Sequence, residues 1–272
     1  MFSQVTAIFQ MAQFILVVMS LAILDSLAGC TSGVFPQGKL VDMTYPFDEH
    51  TLYWPHNKPF QWEKTSWGHS HTKGYWYASA NFSASEHGGT HLDAPIHFAE
   101  GGLSVDQISP SSLMSEAIVL DIREKVASNP DYTLQLADIE YWESQHGRIP
   151  PKSIVLLLTG WGKHWPHPER YFGSPTPSDS NTLHFPSFSS VSADFLVSHR
   201  KIAGIGVDTA SIDSGQSHDF PVHQILGEHN AFALENVANL DQIPSVGTWL
   251  IALPMKIKGG TGAPVRILGL IP

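Results

Sequence analysis

Between residues 87 and 97 the chain reads His87-Gly-Gly-Thr-His91-Leu-Asp93-Ala-Pro-Ile-His97, which places three imidazoles and one carboxylate within eleven residues. Neutral imidazole and carboxylate suit zinc, manganese or iron, and Cys, the other common zinc ligand, is absent from the run. The chain holds 15 histidines, so some clustering is expected in any case. Three of them with an aspartate and two glycines in one short motif point past ordinary structural histidines to a transition-metal site.

An ideal helix would put His87 and His91 on one face but turn Asp93 away, and Gly88, Gly89 and Pro95 all oppose helix. A plain strand puts the odd-numbered residues on one face, yet at about 3.3 Å per residue it separates these two histidines by roughly 13 Å, too far to share an ion at ~2.1 Å. The chain must therefore bend. Gly88-Gly89 supplies the φ freedom to fold His87 back towards His91 and Pro95 stiffens the exit, so the motif is predicted at a strand end entering a tight loop. A tetrahedral site takes about four ligands and a second ion takes more, so distant donors must join. They are sought in Asp208-Thr-Ala-Ser-Ile-Asp213, His218-Asp219-Phe-Pro-Val-His223 and Leu234-Glu235-Asn236, with His223 and Glu235 leading. Taken singly, a helical His or a strand-end Glu is more often a surface or salt-bridge residue.

The elements that must position these residues are short apolar runs rich in β-branched side chains. Strands are predicted over residues 75–84, 117–122, 154–159, 205–207, 232–234, 248–253 and 265–270. Helices are predicted over 137–145, 192–199 and 221–227, where Pro221 suits a first turn. The result is a mixed α/β domain with much sheet. From Gly160 to Pro186 the text turns to Trp, His, Pro and Ser, including Trp161, His164, Trp165 and His167. Such a segment reads as a surface loop against an oligomer neighbour or as a lid with aromatic substrate contacts; its histidines are open to ligation or to packing.

A chain of 272 residues, 42% hydrophobic, can bury one large core, and residues 31–272 are assigned to one domain. Net charge is −10 with 15 Lys plus Arg and no basic run, which argues against nucleic acid or anionic membrane as partner and for a small molecule. Residues 1–30 read as a signal peptide or membrane anchor, because residues 1–24 carry no charged side chain and 14–24 are apolar apart from Ser20. A buried N-terminal helix is the plainer alternative. Ala28-Gly29 would suit cleavage, and Leu27-Ala28-Gly29-Cys30 has the form of a lipoprotein box, so the expectation is a secreted or extracytoplasmic protein, anchored or lipidated through Cys30 in one variant. Cys30 is the only cysteine, so no intramolecular disulfide can form. Asn81-Phe82-Ser83 fits an N-glycosylation acceptor.

The motif His87-Gly-Gly-Thr-His91-Leu-Asp93-Ala-Pro-Ile-His97-Phe98 resembles the His-x-Gly-Thr-His-x-Asp-x-Pro-x-His-Phe signature of the metal-dependent cyclase family, which includes bacterial kynurenine formamidases and isatin hydrolases. The likeness extends from Leu40-Val-Asp-Met-Thr through Gly206-Val-Asp208-Thr-Ala-Ser-Ile-Asp213 to Leu234-Glu235-Asn236. It implies a single swivelling-type β/β/α domain with a central mixed sheet, dimeric or tetrameric, whose site is completed by a neighbouring subunit. It also implies His87, His91 and Asp93 at one divalent metal, zinc or manganese, and Asp93, His223 and Glu235 at a second, with His97 as proton shuttle. Trp54, in Leu52-Tyr53-Trp54-Pro55, matches the family's pocket tryptophan, although His56-Asn57 stands where the signature has Gly-Asp.

The chemistry expected is hydrolysis of an amide bond in an aryl formamide or a cyclic arylamide. Water on such a metal loses its proton near a pKa of about 7. His97, with an imidazole pKa near working pH, would carry that proton to the leaving amine. A lactone hydrolase or polyketide-type cyclase/dehydratase is the alternative within the family. A secreted non-catalytic metal-binding protein is the alternative outside it, and the presence of His97 beside the first-motif donors speaks against that.

Overall fold

A computed structural model describes residues 38–70 and 72–272, so the signal, cleavage and lipid-attachment readings on residues 1–30 lie outside the described residues. The chain enters on β1 (Lys39–Asp42), runs out and back through β2 (Gln61–His69) and β3 (Trp76–Ser83), and returns as the short strand β4 (His91–Asp93). Next come β5 (Met114–Asp121), α1 (Arg123–Ser128), β6 (Thr133–Leu134), α2 (Leu136–His146), β7 (Ile154–Leu158) and α3 (Pro168–Tyr171). The remainder is β8 (Ser187–Phe188), α4 (Ser190–Asp194), β9 (Gly204–Val207), α5 (Pro221–Glu228), β10 (Phe232–Glu235), β11 (Thr248–Pro254) and β12 (Gly262–Ile271).

Eight strands form one mixed sheet in the order β1-β12-β11-β5-β7-β9-β10-β4, and β4 also pairs with the start of β12. That last pairing closes the sheet into a barrel, a closure that the sequence does not predict. Strands β5, β7, β9 and β10 run parallel, and their connections carry helices, as parallel strands require. The period-two alternation of each strand then divides the core. Val119, Leu156, Leu234, Leu250 and Ile267 belong to one buried layer, inside the barrel. Their neighbours Ile118, Leu157, Ile205 and Val207 meet Ile139, Trp142, Leu196 and Leu226 from the helical side. Each such fully buried side chain contributes about 1.5–3 kcal/mol of transfer free energy.

The predicted strands and helices lie where expected, with two changes of substance. The helix expected over 192–199 begins as α4 and widens into a π turn at Phe195–Arg200, where the Arg200 guanidinium lies over the Phe195 ring at 4.2 Å and pairs with Glu143. The segment from Gly160 to Pro186 is not a loose surface loop. It contains a 3-10 turn at Trp161–His164 and α3, and it buries Trp161, Tyr171, Phe172, Leu183 and Phe185 in the helical-side core. Of the aromatic content that suggested a lid, Trp161, Tyr171 and Phe185 are packing, while Phe172 also lines the cavity that holds His91 and Glu235. Strand β2 and helix α1 were missed, because Gln61–His69 is mostly polar and exposed and Arg123-Glu-Lys opens a helix with only Val126 buried.

Candidate active site

The bend required of the motif is made just before β4. Gly89 sits at φ +56°, a left-handed conformation that favours glycine, while Gly88 answers to close approach, since a Cβ there would stand 2.0 Å from Cδ1 of Tyr53. The bend brings the His87 and His91 rings to 5.5 Å between centroids. His91 and Asp93 then point from the same face of β4. A 3-10 turn at Pro95–His97 carries His97 back over His87, where the rings stack at 3.8 Å and 15°.

The distant donors arrive through sheet register and a helix start. β10 pairs antiparallel with β4 so that Glu235 lies directly opposite His91. α5 begins at Pro221 and presents His223 from its first turn. Asp213 fixes that turn: its carboxylate accepts from the backbone N–H of Val222 (2.9 Å) and His223 (3.1 Å) and meets His223 Nδ1 at 2.7 Å. The five residues singled out as metal donors therefore meet. His87 Nδ1 is 2.6 Å from Asp93 Oδ1, and His91 Nε2 is 3.3 Å from that oxygen and 3.4 Å from Glu235 Oε2. His223 Nε2 is 3.4 Å from Asp93 Oδ2 and 3.3 Å from Glu235 Oε1. Donor atoms of His91, Asp93 and Glu235 lie within 4.8 Å of one another, as do those of His87, Asp93 and His97, so Asp93 joins two overlapping groups.

Charge decides what this cluster can hold. Burial alone would lower the His91 pKa, yet Asp93 and Glu235 outweigh it and raise the value to about 9; His223 is likewise raised against its burial, by Asp213, Asp93 and Glu235. Asp93 is held well below the carboxylate range despite its burial, by His91 and His87. Asp93 Oδ2 is buried with no hydrogen-bond partner. Buried imidazoles that retain protons and an orphaned carboxylate oxygen mark a pocket short of positive charge, and three imidazoles with two carboxylates fit a divalent cation. His97 behaves in the opposite way. Burial pushes its pKa from 6.5 down to about 4, against the pull of Asp93, so the expected imidazole poised near neutrality is instead a neutral base at pH 7.

These donors line a cavity of about 280 Å³ whose walls also include Leu52, Trp54, Phe98, Phe172 and Phe220. Trp54 meets Phe220 edge-on at 6.0 Å. His164 lines a different cavity with Arg123 and Asp208, and His167 is exposed, so neither joins the donors. Two partners were missed by sequence reasoning. Asp213 stood in a highlighted cluster, ten residues before His223, without a role. Thr261, whose Oγ1 is 2.9 Å from His87 Nε2, carries no local signal at all.

A family described as Putative cyclase matches residues 41–214. The chain belongs to this family. Within it, the chain is 35% identical over 196 residues to an isatin hydrolase of Roseibium aggregatum, covering 69% of this chain and 72% of that protein. It is 28% identical to a kynurenine formamidase of Salinibacter ruber, covering 84% and 95% of the two chains. Isatin hydrolase A from Ralstonia solanacearum superposes with a TM-score of 0.79 at 32% identity, covering 92% of this chain and 97% of that one. The cyclase match contains the His87–His97 motif and ends just past Asp213, so His223 and Glu235 enter the cluster from beyond it.

Proposed function

We propose that this cyclase-family chain is a metal-dependent amidohydrolase that opens the amide bond of a small aromatic substrate, a cyclic arylamide of the isatin type ahead of an aryl formamide of the N-formylkynurenine type. One observation carries the reading: five donors, four of them buried, converge on a cavity lined also by Trp54, Phe98, Phe172 and Phe220. A flat aromatic ring fills such walls while its carbonyl faces the donors. The order of substrates rests on charge. N-formylkynurenine carries an α-carboxylate and an ammonium, isatin carries neither, and among the described residues the cavity has no Lys or Arg lining. Asn57, where the family signature has Asp, gives its amide to the His87 carbonyl at 3.3 Å and offers no charge to an ammonium. Similarity to a protein named isatin hydrolase supports the same order.

A divalent cation, zinc or manganese, would supply Lewis acidity to the carbonyl and lower the pKa of a water at His87, His91, Asp93, His223 and Glu235. Five donors exceed the four of a tetrahedral site, and Asp93 turns Oδ1 to His87 and Oδ2 to His223, which supports a carboxylate shared between two ions. His97, neutral at pH 7 and stacked on His87, receives the proton of the attacking water and returns it to the leaving nitrogen as the C–N bond breaks. The aromatic walls orient the ring and exclude water.

Homo-oligomerisation and export through residues 1–30, with anchoring or lipidation through Cys30 as one variant, belong to the same proposal. The aromatic side chains Trp62, Trp67, Trp76 and Phe82, exposed on the β2–β3 hairpin, support the first. Asn81 is exposed on that hairpin too.

The test is turnover of isatin and N-formylkynurenine by full-length protein of counted metal content. We expect ring opening of isatin to exceed deformylation, and His97→Ala to lower kcat/KM by roughly 10²–10⁴ with metal content unchanged. No turnover of either amide by fully loaded protein would sink the hydrolase reading, and activity on lactones alone would move it to the family's other branch. Unchanged activity in His97→Ala would remove only the shuttle.

A further inference from the structure

The three histidines nearest Asp93 are not held alike. His91 Nδ1 faces the Gly89 carbonyl at 3.0 Å and His223 Nδ1 faces Asp213 at 2.7 Å, so both turn Nε2 to the donor cluster. His87 is reversed: Nδ1 faces Asp93, and Nε2 meets Thr261 Oγ1 at 2.9 Å.

Thr261 has no freedom in that contact. Its hydroxyl donates to Glu86 Oε2 at 2.6 Å and its backbone N–H donates to the same oxygen at 3.0 Å. Its carbonyl accepts from the Ala94 N–H at 2.9 Å, so the residue is pinned on both sides of the β4–β12 junction. A hydroxyl has one proton, and an ionised carboxylate only accepts. With that proton committed to Glu86, Oγ1 can offer His87 only a lone pair, so Nε2 must carry the hydrogen, and Nδ1, 2.6 Å from Asp93 Oδ1, is the nitrogen left to turn its lone pair to a cation bound beside that carboxylate. The backbone adds a second constraint, because a Cβ on Gly262, the residue after Thr261, would stand 2.5 Å from His87 Cε1. The ring is thus clamped in plane by Gly262 and His97 and fixed in rotation by Thr261.

We propose that Thr261, oriented by Glu86, is a positioning residue that selects the tautomer of His87 and makes it an Nδ1 metal donor, opposite in hand to His91 and His223. The proposal rests on the metal reading above for its consequence, while the hydrogen on His87 Nε2 is fixed by Thr261 with or without metal. Outer partners of this kind hold ligand imidazoles in register, and their loss costs roughly 10–100-fold in metal affinity. Because His97 stacks on His87, loss of the clamp also frees the proposed proton carrier.

Nitrogen-15 imidazole NMR on the full chain tests the tautomer, with the His87 signals identified by His87→Gln. A proton on His87 Nε2 in metal-free protein, and cadmium coupling to Nδ1 of His87 but to Nε2 of His91 and His223 in loaded protein, is the expected result. Coupling of all three through Nε2 overturns the proposal. Absence of metal binding by the wild type would defeat the functional reading, and the metal-free tautomer of His87 would then decide between Thr261 as positioning residue and Thr261 as packing. In parallel, Thr261→Val should weaken zinc binding roughly 10–100-fold, and Thr261→Ser should restore it to within about 3-fold. A valine variant that binds zinc like wild type overturns the assignment, and so does a serine variant as weak as the valine one, since that marks packing rather than hydrogen bonding. If the valine variant does not fold, the wild-type tautomer and the serine affinity decide.

Discussion

Residues 87–97 and 161–167 both bring histidines together over a few residues, and they end in opposite electrostatic settings. His91 is surrounded by Asp93 and Glu235, which raise its pKa despite full burial. His164 packs edge-on against Trp161 at 5.0 Å, and burial, Lys163 and Arg170 all lower its pKa. Both stretches look like metal-binding text by composition. What separates them is the buried carboxylate beside the imidazole, which turns a histidine into a place where positive charge is wanted.

The sharpest way to break that comparison is Asp93→Asn, which leaves the shape and removes the shared charge. Metal retained after dialysis should fall by more than about a hundredfold in affinity, beyond the usual cost of losing an outer partner. Full retention would show that the carboxylate does not set the contrast.

A smaller effect is expected from pH. The folded-state pKa of His91, about 9, exceeds its ordinary value of 6.5, so its contribution to stability is complete below pH 6.5 and is lost as pH rises through 9. Thermal unfolding of metal-stripped protein should therefore move to lower temperature across that window, whereas metal-loaded protein should not follow. A flat or rising Tm in stripped protein would contradict the charge-deficient site.

The smallest effect belongs to the second stretch. His164→Ala with His167→Ala should leave metal content unchanged and kcat/KM within about 2-fold, with stability altered by about 0.5 kcal/mol, as for surface positions. Metal loss in that double variant would erase the distinction between the two stretches.

Much of the site was legible because its first half is local. Three histidines, an aspartate and a glycine pair within eleven residues specify ligand types and demand a bend, whatever surrounds them. The parallel strands β7, β9 and β10 were legible from their apolar runs, which are buried on both faces between barrel interior and helices. The Gly160–Pro186 segment was only half legible, because Trp, His and Pro look alike whether they cover a surface or fill a core: most of its aromatics are core, and Phe172 alone among them lines the donor cavity. The His97 pKa was misjudged for a related reason: burial depends on neighbours from several elements, and it drives the value down to about 4.

By itself the sequence determined the donor types, the bend at Gly88-Gly89 and the alternation that builds the sheet, since these act within a few bonds or residues. Only the tertiary structure decided that Glu235 stands opposite His91, that Asp213 orients His223, and that Thr261 meets the far nitrogen of His87. Those are matters of register, burial and hydrogen-bond direction. Each requires groups far apart in the chain to meet, as His87 Nε2 and Thr261 Oγ1 do at 2.9 Å, and only closure of the barrel through β4 and β12 brings that pair together.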